Sequence, residues 1–216
     1  MVSHIVWYLI VILFLVELNA QNLGKKTLFP GLGDELGFNS LRAPSRTVKA
    51  TSDTQNLCHC HGARPTIVQH VQYSDQGMLL CICPNPVMNA DYMIEMMGRV
   101  PTIIRRNVRA MISATAGTCG GAASSGDVIN FCQQNMHISV FIHESAHSFD
   151  RGKSGTNEWH NAVARDSCVP DPYANTNYAE DLAQVAVVWA SLIGKAQGPK
   201  YVCMSNQLQL MRKYTR

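Results

Sequence analysis

The sequence predicts an α+β domain: a small β-sheet, a buried helix carrying a metal-ligand motif, and a disulfide framework behind an N-terminal leader. Three observations point there. Eight cysteines follow an apolar N-terminus, the stretch FIHESAHSFD (residues 141–150) sets two histidines at helical spacing, and short β-rich segments alternate with helical ones.

Residues 1–20, MVSHIVWYLIVILFLVELNA, hold an apolar run from Ile5 to Val16 and end in small residues before Gln21. They read as a secretory signal peptide cleaved after Ala20, since the run falls short of the roughly 20 apolar residues of a membrane span. No Lys or Arg precedes the run, which leaves a signal anchor as the other reading. The expected product is secreted and extracellular, with no membrane attachment after cleavage. The full chain carries a formal charge of +3, and residues 1–20 remove one acid, Glu17, and no base. The resulting mild basicity is too diffuse for nucleic-acid binding. Arg105, Arg106 and Arg109 form the only tight basic cluster and read as a solvated helix face.

All eight cysteines (Cys58, Cys60, Cys81, Cys83, Cys119, Cys132, Cys168 and Cys203) lie beyond the leader. An even count behind a signal peptide implies four disulfides whose connectivity spacing does not decide. The stretch CHCH at 58–61 lacks the gap of zinc knuckles, so its cysteines are expected to pair with another segment, for which Cys81 and Cys83 are the similar one. Residues 21–57 show no sustained periodicity and read as a flexible leader or pro-segment, leaving 58–216 as the domain.

Within that domain Thr66 to Tyr73 and Met78 to Cys83 flank the turn SDQG and predict a hairpin. A short helix follows over Asp91 to Met97. Pro101 sits at a second helix start, with Ile104, Val108, Met111 and Ile112 on one face. GTCGGAASSG reads as a loop, DVINF (127–131) as a strand, and Met136 to Asp150 as the motif helix. A last helix runs from Tyr178 to Ile193 with Leu182, Val185 and Trp189 turned inward.

On a helix, His143 and His147 share one face and can present two imidazole nitrogens to one ion, expected to be Zn2+. Glu144 is offset by one residue, so its carboxylate is placed to reach a metal-bound water as a general base. The neighbours Val140, Phe141, Ile142, Ser145, Ala146, Ser148 and Phe149 are uncharged, as a buried ligand helix requires.

A third ligand is needed. Lys153 occupies the position six residues after His147, which excludes the metzincin pattern. Asp150, Glu158, His160, Asp166, Glu180 and Asp181 remain. Asp150 lies one turn beyond His147 and is a candidate to orient a ligand. Glu180 has the best case, because it opens the helix YAEDLAQVAVVWASLI; Asp181 points about 100° away, so one of the two can ligate. The dipole at a helix N-terminus favours both acids regardless of metal.

HESAHSFD followed by DPYANTNYAEDLAQ resembles the catalytic core of the anthrax lethal factor-like metallopeptidases, over residues 136–190. The resemblance implies a zincin fold with Glu180 as third ligand, Asp150 as the matching acid after the motif, and Tyr173 as hydrogen-bond donor to an oxyanion. Leu182 and Gln184 depart from that family's acidic, aromatic stretch. The compact, cysteine-rich form is also similar to small secreted fungal proteins with the same motif pair. GTNEW, around Glu158, resembles less closely the ligand motif of the aspzincins.

Taken together, these residues predict a secreted zinc endopeptidase acting on protein or peptide substrates, with His143, His147 and Glu180 on Zn2+, Glu144 as base and Tyr173 at the transition state. The alternative is a secreted effector or binding protein on the same scaffold with little turnover.

Overall fold

Six strands make the main sheet of the computed structural model, which describes residues 22–33 and 35–216; the segment assigned as signal peptide lies outside them. A two-residue strand β1 (Lys26–Thr27) precedes β2 (Arg46–Ala50), β3 (Ile67–Tyr73) and β4 (Gly77–Ile82). Helices α1 (Ala90–Arg99) and α2 (Thr102–Arg105) then cross to β5 (Ala110–Ser113), which is followed by β6 (Ala122–Ser125) and β7 (Val128–Phe131). The rest is helical: α3 (Ile138–Asp150), α4 (Asn157–Arg165), a two-residue strand β8 (Cys168–Val169), α5 (Tyr178–Ser191) and α6 (Ser205–Tyr214). The result is a mixed α+β fold with one modest sheet and four disulfides.

The sheet order is β2-β3-β4-β5-β7-β6, with β4, β5 and β7 parallel and the outer pairings antiparallel. Alternation along the strands sends Met78, Leu80, Ile82, Met111, Ile129 and Phe131 into the main core under the helices. Leu79, Cys81, Ala110 and Ile112 face the other way into a smaller cluster, where Cys58 and Cys60 cover them. Two disulfides, Cys58–Cys81 and Cys60–Cys83, tie that covering loop to β4 and its end. The pairing of the CHCH cysteines with the second C-x-C segment is therefore present.

Helix α3 lies inside the helical layer, packed on α5 on one side and touching β6 and β7 on the other. The predicted hairpin and the helices at 91–97, 136–150 and 178–193 are all present, within two or three residues at their ends. The helix expected from Pro101 is not: it stops at Arg105, and Ala110 to Ser113 form a central strand. These four residues are wholly buried, flanked by β4 and β7, so both faces want apolar side chains and the periodicity fits either structure. The loop GTCGGAASSG contains edge strand β6, and helices α4 and α6 arise in segments to which no element was assigned.

Residues 22–33 and 35–41, part of the 21–57 segment read as a flexible leader or pro-segment, pack onto the domain. β1 pairs in parallel with β8, and Phe29, Leu32, Leu36, Phe38 and Leu41 are buried in the main core. Arg105 likewise departs from the solvated-face reading. It is buried, its guanidinium lies 4.6 Å from the centre of the Tyr73 ring, and Nη2 donates to both oxygens of Asp75 at 2.8 and 2.7 Å.

Two expected outcomes follow from this packing. Ala is worth about 1 kcal/mol over Gly inside a helix, but a Cβ on Gly98 would sit 2.8 Å from Ala43 Cβ and 2.9 Å from Tyr73 Cε1. Overpacking wins, so Gly98→Ala should lower unfolding stability by about 1–3 kcal/mol in urea denaturation. Burial alone would lift the Asp75 carboxyl, but hydrogen bonds from Thr102 and Arg105 and the Arg105 charge hold it below its usual value. A depressed carboxylate stabilises the fold above its unfolded value near 3.8, and that contribution is lost as pH falls through the lower folded value. Denaturation midpoints measured down the acid limb should therefore fall less steeply in Asp75→Asn than in the parent chain.

Candidate metal centre

Two helix starts place the donors. At α3 the His137 side chain caps the helix by accepting from Ser139 N–H, and Arg151, in left-handed backbone with φ 47°, ends it. His143 and His147 lie one turn apart on its inner face, with ring centroids 4.8 Å apart. At α5 the Asn177 carboxamide accepts from Ala179 N–H at 2.9 Å and Glu180 N–H at 3.0 Å. That cap fixes Glu180 in the first turn, directed at α3.

The three donor atoms converge. His143 Nε2 lies 3.1 Å from His147 Nε2 and 3.1 Å from Glu180 Oε2, and His147 Nε2 lies 3.3 Å from the same oxygen. A tetrahedral ion with bonds of about 2.0–2.1 Å sets its donors roughly 3.3 Å apart, so the spacing matches a shared ion. Glu180 Oε2 is buried and, despite these short contacts, accepts no hydrogen bond of normal geometry. Among the described residues this is the cluster of three metal-donor side chains that can hold an ion.

The charges around it are tuned accordingly. Burial would raise the Glu180 carboxyl, but the two adjacent imidazoles outweigh it and hold the group down at about 2. Burial disfavours a protonated His147, yet Glu180, then Glu144 and Asp150, raise its affinity for a proton. A cation of higher charge would satisfy the same carboxylates.

Around the donors, Gln184 Oε1 lies 3.3 Å from His143 Nδ1, and Gln184 Nε2 donates to Asp171 Oδ2 at 2.8 Å. The other Asp171 oxygen accepts from Ala174 N–H at 3.0 Å, in the turn that carries Tyr173. Burial pushes the Asp171 carboxyl up, and these hydrogen bonds offset part of that. Tyr173 is half-exposed, its ring 5.5 Å from that of His143, and burial followed by the charges of Glu180, Glu144 and Asp171 raises its hydroxyl. Glu144 is buried, and its Oε2 accepts from Ser124 Oγ on β6 at 2.6 Å. A cleft of about 420 Å³ opens beside His143, lined among others by Leu32, Met136, Val140, Glu144 and Tyr173.

The other residues considered as ligands lie outside this cluster. Asp150 accepts from the Ser154 N–H and hydroxyl, closing the turn after α3, and it does not orient a ligand ring. Glu158 pairs with Lys213 at 2.6 Å on the surface. His160 stacks on Tyr178 at 3.8 Å, Asp166 caps α6 through Asn206 and Gln207, and Asp181 is fully buried, where burial raises its carboxyl well above the usual range. Gln184, which reaches His143, and Asp171, which holds Gln184, carried no signal of their own in the sequence beyond the departure noted at Gln184.

The fold and site define a disulfide-stapled α+β domain with three potential metal donors, one buried and two half-buried, gathered at the junction of two helices. The family model for the conidiation-specific protein Con-13 matches residues 43–213, and the chain belongs to the Con-13 family. It is similar to conidiation-specific protein 13 of Neurospora crassa, 28% identical over 156 residues, covering 66% of this chain and 46% of that protein. The chain thus spans about half the length of that relative. No solved structure matches it.

These matches overturn the peptidase reading. Membership of the Con-13 family replaces the resemblance to lethal factor-like zincins, and with it go the assignment as a zinc endopeptidase and the hydrolase and metalloprotease classes. The effector alternative on that scaffold gains no support from them either. The physical reason is that two histidines at i and i+4 report a metal-donor geometry, and that geometry does not specify a bond to be cleaved. The roles given to Glu144 as base and Tyr173 as oxyanion donor were parts of that reading.

Proposed function

We propose that this Con-13 family chain is a secreted zinc-binding protein, in which His143, His147 and Glu180 hold one Zn2+ at the junction of α3 and α5. The observation that carries the reading is the mutual spacing of 3.1–3.3 Å between the three donor atoms, with Glu180 Oε2 otherwise unpaired. Two imidazoles and a carboxylate suit zinc better than magnesium or calcium, which take oxygen donors in larger number. Three protein ligands leave one coordination position, and the cleft beside His143 supplies it with water or a donor group of a small ligand.

Four disulfides, with all eight cysteines paired, support an oxidising, extracellular setting for the folded chain. The Neurospora crassa relative is named for conidiation, and we propose the same developmental setting here. Accumulation of the protein in the culture fluid or spore wall fraction during sporulation, and its absence from vegetative growth, is the expected pattern on immunoblots.

The metal reading is tested by elemental analysis of the purified protein together with calorimetric titration. One zinc per chain is expected in the parent and in Glu144→Gln, and less than a tenth of that in His143→Ala or Glu180→Ala. Saturating zinc at about 100 times Kd should stabilise the parent by about 2.7 kcal/mol and leave Glu180→Ala unmoved. Full zinc retention in Glu180→Ala, or stoichiometric iron in place of zinc, would end this assignment.

A further inference from the structure

We infer that the groove between α4 and α6 binds an anionic polysaccharide chain, built of uronate or sulfated sugars. Two packed helices make the groove. Lys213, in the last turn of α6, pairs with Glu158 in the first turn of α4 at 2.6 Å. At the other end the Asn206 N–H, in the first turn of α6, donates to Asp166 just past the end of α4. The helices therefore run antiparallel. A helix dipole favours cations at its C-terminal end, and each helix carries them there: Arg165 on α4, Arg212 and Lys213 on α6. Antiparallel packing then sets these two groups at opposite ends of one groove, and Arg216, just beyond α6, joins the second. The cavity measures about 770 Å³, and all four cations line it against a single carboxylate side chain, Glu158.

Charge at both ends selects an elongated ligand. The α4 segment from Glu158 to Arg165 separates the two basic groups by roughly 10 Å along the helix axis. A lone phosphate or carboxylate meets one end only, whereas a chain with repeated charges meets both. The cations are open to it. Arg165 and Arg216 form no ion pair among the described residues, and Arg212 donates to the neutral Gln197 Oε1 at 2.8 Å, which leaves its charge uncompensated. The Lys213–Glu158 pair is exposed, where such pairs contribute little. Ser205 and Gln209 are exposed along the same groove and offer a hydroxyl and an amide, groups that donate to and accept from sugar hydroxyls. No aromatic side chain lines the groove among the described residues, so it lacks the stacking platform that single-stranded nucleic acids use. That favours a glycan over a nucleic acid.

The experiment measures binding to the full, disulfide-bonded chain by calorimetry and by nitrogen-15 amide spectra, at neutral pH and low salt. The probes are oligogalacturonate, a sulfated dextran oligomer, neutral dextran of the same length, monomeric galacturonate and a single-stranded oligonucleotide. An anionic oligomer should bind, shift the Ser205 and Gln209 amide signals, and weaken as salt rises. The tighter of the carboxylated and sulfated probes identifies the source of the charge. Neutral dextran and the monomer should bind about tenfold more weakly or less, since neither spans the two ends with charge. Arg165→Glu combined with Arg212→Glu should weaken oligomer binding about tenfold or more. Lys49→Glu combined with Arg64→Glu makes the same change in net charge at exposed cations outside the groove, and should keep the parental affinity. Equal losses in the two double variants would overturn the inference, as would a monomer that binds as tightly as the oligomer, or an oligonucleotide that binds more tightly than either glycan. The comparisons on the parent need no variant to fold. The groove shares no residue with the zinc donors, so the failure of either assignment leaves the other standing.

Discussion

A carboxylate from one helix and two imidazoles from another are held within 3.3 Å of one another, and this is possible only because α3 and α5 pack closely in the interior. The arrangement is costly to assemble, because it removes three polar groups from water. The surrounding structure carries that cost: α3 is clamped between the sheet and α5, Ser124 of β6 grips Glu144 beside the first histidine, and the Asn177 cap fixes the first turn of α5. A displacement of either helix by an ångström would unmake the donor geometry while leaving most of the apolar core intact.

The parts legible in the sequence are those whose signal is local. Period-four spacing on FIHESAHSFD and the apolar face of YAEDLAQVAVVWASLI marked both ligand helices and three of the donor positions, and these are brought together. Segments whose identity depends on neighbours were misread. Ile104, Val108, Met111 and Ile112 suit one helix face, yet β4 and β7 on either side turn the second half of that stretch into the central strand. Arg105 looked like a surface cation because nothing nearby in sequence announces Asp75 and Tyr73 as its buried partners. Gln184 and Asp171 lie 13 residues apart and connect only once the turn after β8 folds back on α5. Residues 22–33 and 35–41 lack periodicity because their apolar residues enter the core singly, from a path of turns and bends.

What the motif carried, and what it did not, differ in kind. Spacing within a helix constrains where lone pairs point, which is a statement about coordination. Turnover depends further on a substrate and its approach, on which helical spacing is silent. Family membership over residues 43–213 moves the weight from chemistry on a peptide to a protein known by the developmental stage in its relative's name. The three-donor cluster stands apart from that change, since it rests on distances within this chain.

The two disulfides on β4 have a consequence for how the chain reaches this state. Cys58 and Cys60 are spaced like Cys81 and Cys83, so the crossed bridges would close loops of nearly the same length as the native ones. Loop entropy varies only slowly with length and cannot choose between them. The choice falls to the fit of the covering segment, whose Cys58 and Cys60 pack against Leu79, Ala110 and Ile112. Oxidation that outruns formation of the sheet would therefore trap scrambled isomers, and a thiol shuffling catalyst becomes a practical requirement for recovering the native molecule.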